Sequence, residues 1–198
     1  MMDALARHVP ELAIAAALAW GAGVRVYATL FCVGLAGLLG WVELPSHLHA
    51  LQSPLVLGAS GFMTFVEFFA DKIPWVDSVW DVVHTFIRIP AGAALAAAVF
   101  GDSGAGAALA AAILGGTISG GAHLSKAGGR ATINASPEPF SNWAASFLED
   151  AAVPAGLWLA FAHPVVFLVL LGAFALVTIL LIHWIGRGLV RLYSRRSA

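Results

Sequence analysis

The sequence predicts an all-α fold: a polytopic membrane helix bundle of about six transmembrane helices, with Pro/Gly breaks in spans three and five. Three observations predict it. Hydrophobic residues make up 60% of the chain and the mean hydropathy is +0.88, where a soluble domain is about 45–50% apolar. Charged residues reach only 11%, against about 25% in soluble domains. The apolar residues fall in long runs separated by short polar turns, as crossing about 30 Å of hydrocarbon demands. The length of 198 residues suits one integral membrane domain over 1–198.

The first span is read over 11–40. Wholly helical, it would measure about 45 Å at 1.5 Å per residue, longer than the bilayer core. It must tilt, protrude or break, and Gly21-Ala22-Gly23 before Arg25 marks the place for a break. LAIAAALA ahead of Trp20 loosely resembles a signal-peptide core. Asp3 and Glu11 spoil the basic flank and the apolar run continues past the cleavage position, so the helix is expected to stay. Residues 41–53 form a loop or interfacial turn. The second span covers 54–70, and the turn Asp71 to Asp77 holds Lys72, Pro74 and Trp75. The third covers 77–100, with Pro90 and Gly92 inside. GDSGAG (101–106) is a tight turn. The fourth, 105–122, is almost all Ala, Gly, Ile and Leu, and a polar loop follows from Lys126 to Asn142. The fifth, 143–162, carries Glu149 and Asp150 and is interrupted by Pro154. After His163-Pro164 the uncharged sixth span, 165–186, runs into Arg187, Arg191, Arg195 and Arg196. Pro90-Ala-Gly and Pro154-Ala-Gly read as a parallel repeat of helix pairs. Gly34, Gly37, Gly40 and Gly116-x3-Gly120 are close-packing faces, and offer a route to a homo-oligomer.

Six spans put both termini on one side. That side receives Arg7, Lys72, Lys126, Arg130 and the tail arginines, while the opposite connections hold no Lys or Arg. The positive-inside rule makes the first side cytoplasmic, in a cell (inner) membrane. The formal net charge of −1 says nothing about nucleic acid and no basic run suggests it, so no nucleic-acid partner is expected. The partners expected are the lipid bilayer and a small ion or solute. Cys32 stands alone, so one chain makes no disulfide and no thiolate metal cluster.

Chemistry concentrates in Glu67 to Pro90, EFFADKIPWVDSVWDVVHTFIRIP. Asp77, Asp81, His84 and Arg88 fall at i, i+4, i+7 and i+11, one helix face, and Glu67 and Asp71 lie one turn apart. The topology gathers Glu67, Asp71, Asp81, His84, Arg88, Glu149 and Asp150 into a cytoplasm-facing ion or solute cavity. Inserting one central Asp, Lys or Arg costs about 2.5–3.5 kcal/mol, so idle charges at such depth are unexpected. Hard cations take carboxylate oxygens, which makes a divalent cation the implied cofactor and Asp77, Asp81 and His84 the candidate metal ligands. The simpler reading of Asp71, Lys72 and Asp77 is a solvated turn, with Asp77 as helix cap. His84 and His123 suit metal binding, proton relay or a hydrogen bond to a carboxylate. Arg25 either pairs with an acid or contacts an anion or lipid phosphate. Arg88 leans toward the cytoplasmic end of its helix and is expected to pair with Glu149 and Asp150; Asp81 and His84 are the in-helix alternatives. No nucleophile–base pair and no phosphate loop is readable, so no catalytic residue is assigned.

EFFADKIPWVDSVWDVVHTFIRIPAGA (67–93) resembles the hallmark of domain-of-unknown-function family 4126, a group of small bacterial multi-pass membrane proteins. NASPEPFSNWAASFLED (134–150) resembles its second signature, and Gly23 with Arg25 fits the first span. The resemblance implies a membrane location and transfers no residue roles.

Three functions compete. Buried charge on several spans, Pro and Gly at mid-helix and glycine-rich packing favour a transporter or channel for a cation or proton-coupled solute. The alternative is a structural or assembly protein whose ion pairs fix helix register. The third, a Mg-dependent lipid-phosphate enzyme, would hold metal at Asp77-x3-Asp81 with Arg25 or Arg88 on phosphate, but the longer aspartate motifs of such transferases are missing. The balance is against an enzyme.

Overall fold

The structure, a computed structural model, describes residues 2–134 and 140–196. Residues 135–139, within the expected polar loop and the second signature, lie outside the described residues, as do the side chains of Arg7, Arg191, Arg195 and Arg196. The described residues form a helical bundle: α1 (Met2–Leu38), α2 (Pro54–Ala70), α3 (Pro74–Val99), α4 (Ala105–Asn134), α5 (Phe140–Ala162) and α6 (Pro164–Arg196). Short 3₁₀ segments, Ser46–Gln52 and Gly101–Ser103, lie between α1 and α2 and between α3 and α4. Proline opens α2, α3 and α6, where its missing N–H has no intrahelical partner to lose. Gly40 and Gly104 take positive φ, 71° and 94°, in the turns after α1 and before α4.

Helix α1 is the centre and packs against all five others. Ala13, Ala17, Leu18, Ala19 and Ala22 are wholly buried. Small residues let backbones close in. A Cβ on Gly23 would meet the Ser119 carbonyl of α4 and lie 2.9 Å from Ala122 Cβ. One on Gly156 would lie 2.6 Å from the Trp20 ring, and one on Gly92 would run into Ser119 and approach the Ala19 carbonyl to 3.2 Å. Both Pro-Ala-Gly glycines therefore press on adjacent residues of α1.

Helix α1 is broken at Arg25, where φ is −148° and ψ is 89°, two residues past the end of the Gly-Ala-Gly run. Pro90 and Pro154 lie inside α3 and α5, which continue past them. Each proline forfeits one backbone hydrogen bond to the residue four before it, so the breaks expected there amount to a lost bond rather than an interruption. Helix α4 runs twelve residues past its expected end at 122 and takes in the start of the expected polar loop. His123, Lys126 and Arg130, at i, i+3 and i+7, turn one buried face inward, while Gly128 and Gly129 face out. Helix α5 starts at Phe140 rather than at 143.

Three helices, His8–Leu38, Trp75–Val99 and Ala105–Ile133, are long and apolar enough to cross a membrane. Ser46–Gln52 with Pro54–Ala70, bent by 66°, makes a fourth if taken as one span. Large apolar side chains stand outward, among them Phe62, Phe65, Val82, Phe86, Leu170 and Ile179. Apolar surface on that scale calls for lipid as its solvent, so this is a membrane-embedded protein.

At the end of the bundle away from Arg130, the Ser46 hydroxyl donates to Asp102 Oδ2 at 2.6 Å, and His47 Nε2 lies 3.1 Å from Oδ1. The Ser46 hydroxyl, then His47, holds the Asp102 carboxyl below its ordinary range. A depressed carboxylate stabilises above its unfolded pKa and loses that contribution as pH falls through the folded value. Protection of the amides in 46–52 and 101–103, relative to their intrinsic exchange at each pH, should therefore fall below about pH 4, and Asp102→Asn should abolish that dependence. Gly23→Val should destabilise by about 1–3 kcal/mol through overpacking. Gly121→Ala, which opens onto free space, should leave the melting temperature near wild type.

Candidate functional site

The break in α1 puts Arg25 at the heart of the charged residues. Its side chain is 2% exposed. Nη2 lies 2.9 Å from Asp71 Oδ2 and 3.6 Å from Glu149 Oε2, and Nε lies 3.2 Å from Asp150 Oδ1. Nη2 also donates to the Ser146 hydroxyl at 3.1 Å. Two carbonyls at the break find side-chain donors: Thr29 Oγ1 donates to Arg25 O at 2.9 Å, and Lys126 Nζ to Val24 O at 3.4 Å.

Lys126 ties the elements together. Beyond Val24 O, its ammonium lies 3.0 Å from Asp71, 3.3 Å from Glu149 and 3.6 Å from Asp81. Those four oxygens come from α1, the α2–α3 turn, α5 and α3. Arg130, one turn on, forms a fork on Glu149, Nε to Oε1 and Nη2 to Oε2, both at 3.0 Å. Such bidentate pairs are among the stronger charge-assisted bonds. Its Nη1 donates to Asn142 Oδ1, to Asn142 O at 3.0 Å and to Asp71 O at 3.4 Å, and lies 4.0 Å from Asp77 Oδ2.

Arg88, fully buried, donates to Glu67 Oε1 and Asp81 Oδ1, each at 2.7 Å. Its Nη1 also reaches His123 Nδ1 at 3.1 Å. An arginine only donates, so Nδ1 accepts and the His123 proton sits on Nε2, facing Thr85 Oγ1 at 2.7 Å. His84 is set the other way. Nδ1 donates to Trp80 O at 2.8 Å, leaving Nε2 to accept from the Tyr27 hydroxyl at 3.1 Å. The Trp80 ring stacks on His84 at 4.2 Å.

The network thus joins six acids (Glu67, Asp71, Asp77, Asp81, Glu149, Asp150) to five bases (Arg25, Lys72, Arg88, Lys126, Arg130). Several buried atoms carry no hydrogen bond: Glu67 Oε2, Asp71 Oδ1, Asp81 Oδ2 and Arg88 Nε. Asp71 sits in the turn outside the apolar spans. Burial would raise its carboxyl, but Lys126 and then Arg25 outweigh that and hold it below the ordinary range.

Several expectations change. The charged residues do meet, and among the described residues most are buried side chains packed on one another. Only Asp150, Glu149 and Lys72, with side chains 23%, 17% and 15% exposed, mark an open end. Asp71 and Asp77 are fully buried, not solvated, and no side chain caps α3. Arg88 takes Glu67 and the in-helix Asp81, and the span-five acids go to Arg25, Lys72, Lys126 and Arg130. The reason is that α1 lies against both α3 and α5, which scarcely touch. Arg25 accordingly meets acids of its own chain in place of an external anion. His84 bonds to Tyr27 and Trp80, not to a carboxylate. No group of three or more His, Cys, Asp or Glu among the described residues is arranged to hold a metal ion. Asp77, Asp81 and His84 face different partners, and lysine and arginine neutralise the carboxylates. Lys126 and Arg130 entered the sequence reading only as charges that orient the chain, and Tyr27, Thr85, Asn142 and Ser146 were given no role there; the 3–4 spacing of His123, Lys126 and Arg130 was the available signal.

The profile of a family described as Domain of unknown function (DUF4126) matches residues 12–184, which include every member of the network. No curated protein and no solved structure matches the chain.

Breaking one side of a buried ion pair typically costs about 3–5 kcal/mol because the partner charge is stranded. Arg88→Met should destabilise on that scale in detergent unfolding. Glu67→Gln or Asp81→Asn should recover part of the loss, and Glu149→Gln should recover none.

Proposed function

The chain belongs to the DUF4126 family, and from that premise, which brings no activity with it, we propose that it is a small membrane transporter or channel for a cation or proton-coupled solute. One observation carries the reading: a membrane helix broken inside a buried charge network, with a freed carbonyl turned to an ammonium. Non-helical backbone at membrane depth is tolerated where it is buried in protein or lines a path, and broken helices with exposed carbonyls are a recurrent means of holding ions in transporters. Ionisable residues inside membranes mark ion and proton routes. Glu67, Asp71 and Asp81 each keep one buried oxygen without a hydrogen bond, which supports a network able to exchange partners.

In this reading the chain crosses the membrane six times with both termini in the cytoplasm, and the open end at Lys72, Glu149 and Asp150 faces the cytoplasm. The distribution of Lys and Arg supports that orientation. The near-complete pairing of acids with bases supports a second reading, a structural protein whose charges fix helix register. A lipid-phosphate enzyme loses its support, since Asp81 is engaged by Arg88 and Asp77 lies against Arg130.

Purified protein in liposomes should dissipate an imposed cation or pH gradient, and Arg25→Gln should slow this by about tenfold or more. Asp102→Asn should not. No flux for any of H⁺, Na⁺, K⁺ or small organic cations from correctly folded protein favours the structural reading. In a Cys32→Ser background, Asp102→Cys should react with an impermeant thiol reagent outside intact cells. Arg187→Cys should react only after permeabilisation; labelling from outside would reverse the orientation.

A further inference from the structure

We propose that Phe68, Phe147, Ser146 and Asp150 form a binding site for a primary ammonium group, kept closed by Lys72, and that the solute class of this protein is an amine-bearing cation. The proposal rests on the transport reading and names its substrate class. The site already holds the chemistry it would select. Lys72 Nζ lies 3.1 Å from the centroid of the Phe68 ring and 4.4 Å from that of Phe147. Aromatic faces attract cations, more strongly where water is excluded. The same nitrogen donates to Phe68 O at 2.9 Å, Ser146 Oγ at 3.3 Å and Asp150 Oδ2 at 3.4 Å. Three acceptors match the three N–H bonds of a primary ammonium. A quaternary ammonium has no N–H to give and is too bulky for a 3.1 Å approach.

Displacement of the Lys72 side chain would leave its backbone anchored by separate bonds. Trp143 Nε1 donates to Lys72 O at 3.1 Å, and Asn142 Nδ2 donates to the neighbouring Asp71 O at 3.2 Å. The site lies at the open end of the network, where Lys72 and Asp150 are 15% and 23% exposed. It also communicates inward. Asp150 grips Lys72 with one oxygen and Arg25, at the break of α1, with the other, at 3.2 Å. A solute that replaced Lys72 on Asp150 would therefore act on the residue at which the central helix is broken. Burial among the rings pushes the Lys72 amine below its ordinary range; Asp150 and Asp71 oppose this and Arg25 adds to it. Rising pH discharges Lys72 first and so weakens the internal competitor.

Calorimetric titration of detergent-purified protein with n-propylammonium chloride, which matches the side chain beyond Cβ of Lys72, tests the site. Lys72→Ala should bind it about tenfold or more tightly than wild type. Adding Phe68→Leu or Asp150→Asn to Lys72→Ala should remove that gain, and tetramethylammonium should gain nothing. Wild-type affinity for propylammonium should rise with pH below the ordinary lysine value of about 10.4. A folded Lys72→Ala with no gain, or a gain indifferent to Phe68→Leu, overturns the proposal. Should Lys72→Ala fail to fold, a flat wild-type pH series overturns it instead. Binding without flux would sink the transport reading alone, and flux without this binding would sink only the ammonium site.

Discussion

The structure depends on satisfying a broken backbone where water is scarce. An extended residue inside α1 strips neighbouring carbonyls of their helical partners, and each such group left unpaired in hydrocarbon costs several kcal/mol. Lys126 answers the Val24 carbonyl from α4, and Thr29 adds to the Arg25 carbonyl the i−4 side-chain bond that Ser and Thr make elsewhere in these helices. The lysine that repairs the backbone brings a charge, and that charge needs Asp71, Asp81 and Glu149. Each carboxylate in turn recruits a further base. The network grows outward from the break, and α1 becomes the axis on which the other helices are placed.

Such a network contributes little net stability, since desolvating each ion offsets most of its attraction. Its geometry bears instead on helix register. An oxygen of Asp71 lies between Arg25, Lys126 and Arg130, drawn from two helices, so a register slip in either would strand charge. The glycine contacts act in the same direction by steric means. Gly23 lies against the Ser119 carbonyl, and Ser119 Oγ donates to Arg88 O at 2.8 Å. The tight approach of α1 to α4 thus also positions the Arg88 helix.

Much of this was legible in the sequence. Low charge and long apolar runs gave a membrane bundle, and Gly-Ala-Gly before Arg25 gave the break. The i, i+4, i+7, i+11 spacing put Asp77, Asp81, His84 and Arg88 on one face, where all four are buried. Partner choice was not legible. It depends on which helices touch, and nothing local in α3 or α5 says that α1 lies between them. The end of α4 was misjudged for a related reason. Gly128 and Gly129 read locally as loop, but burial of Lys126 and Arg130 against distant acids overrides that preference. Asp71 and Asp77 look like a solvated turn until Arg130, some 55 residues later, covers them.

The central position of α1 also sets a problem of timing during biosynthesis. Arg25 leaves the ribosome early, but Ser146 and the acids beside it follow about 121 residues later. At about 5–20 residues per second, that interval lasts roughly 6–24 s. Asp71 is the first buried acid to reach Arg25, because it closes α2 well before α4 exists. When Lys126 and Arg130 emerge they claim the same carboxylate, and Glu149 with Asp150 then relieves the competition. The arginine that organises the finished protein thus keeps Asp71 and gains Glu149 and Asp150 once α5 is made, so α5 is the segment whose arrival closes the circuit.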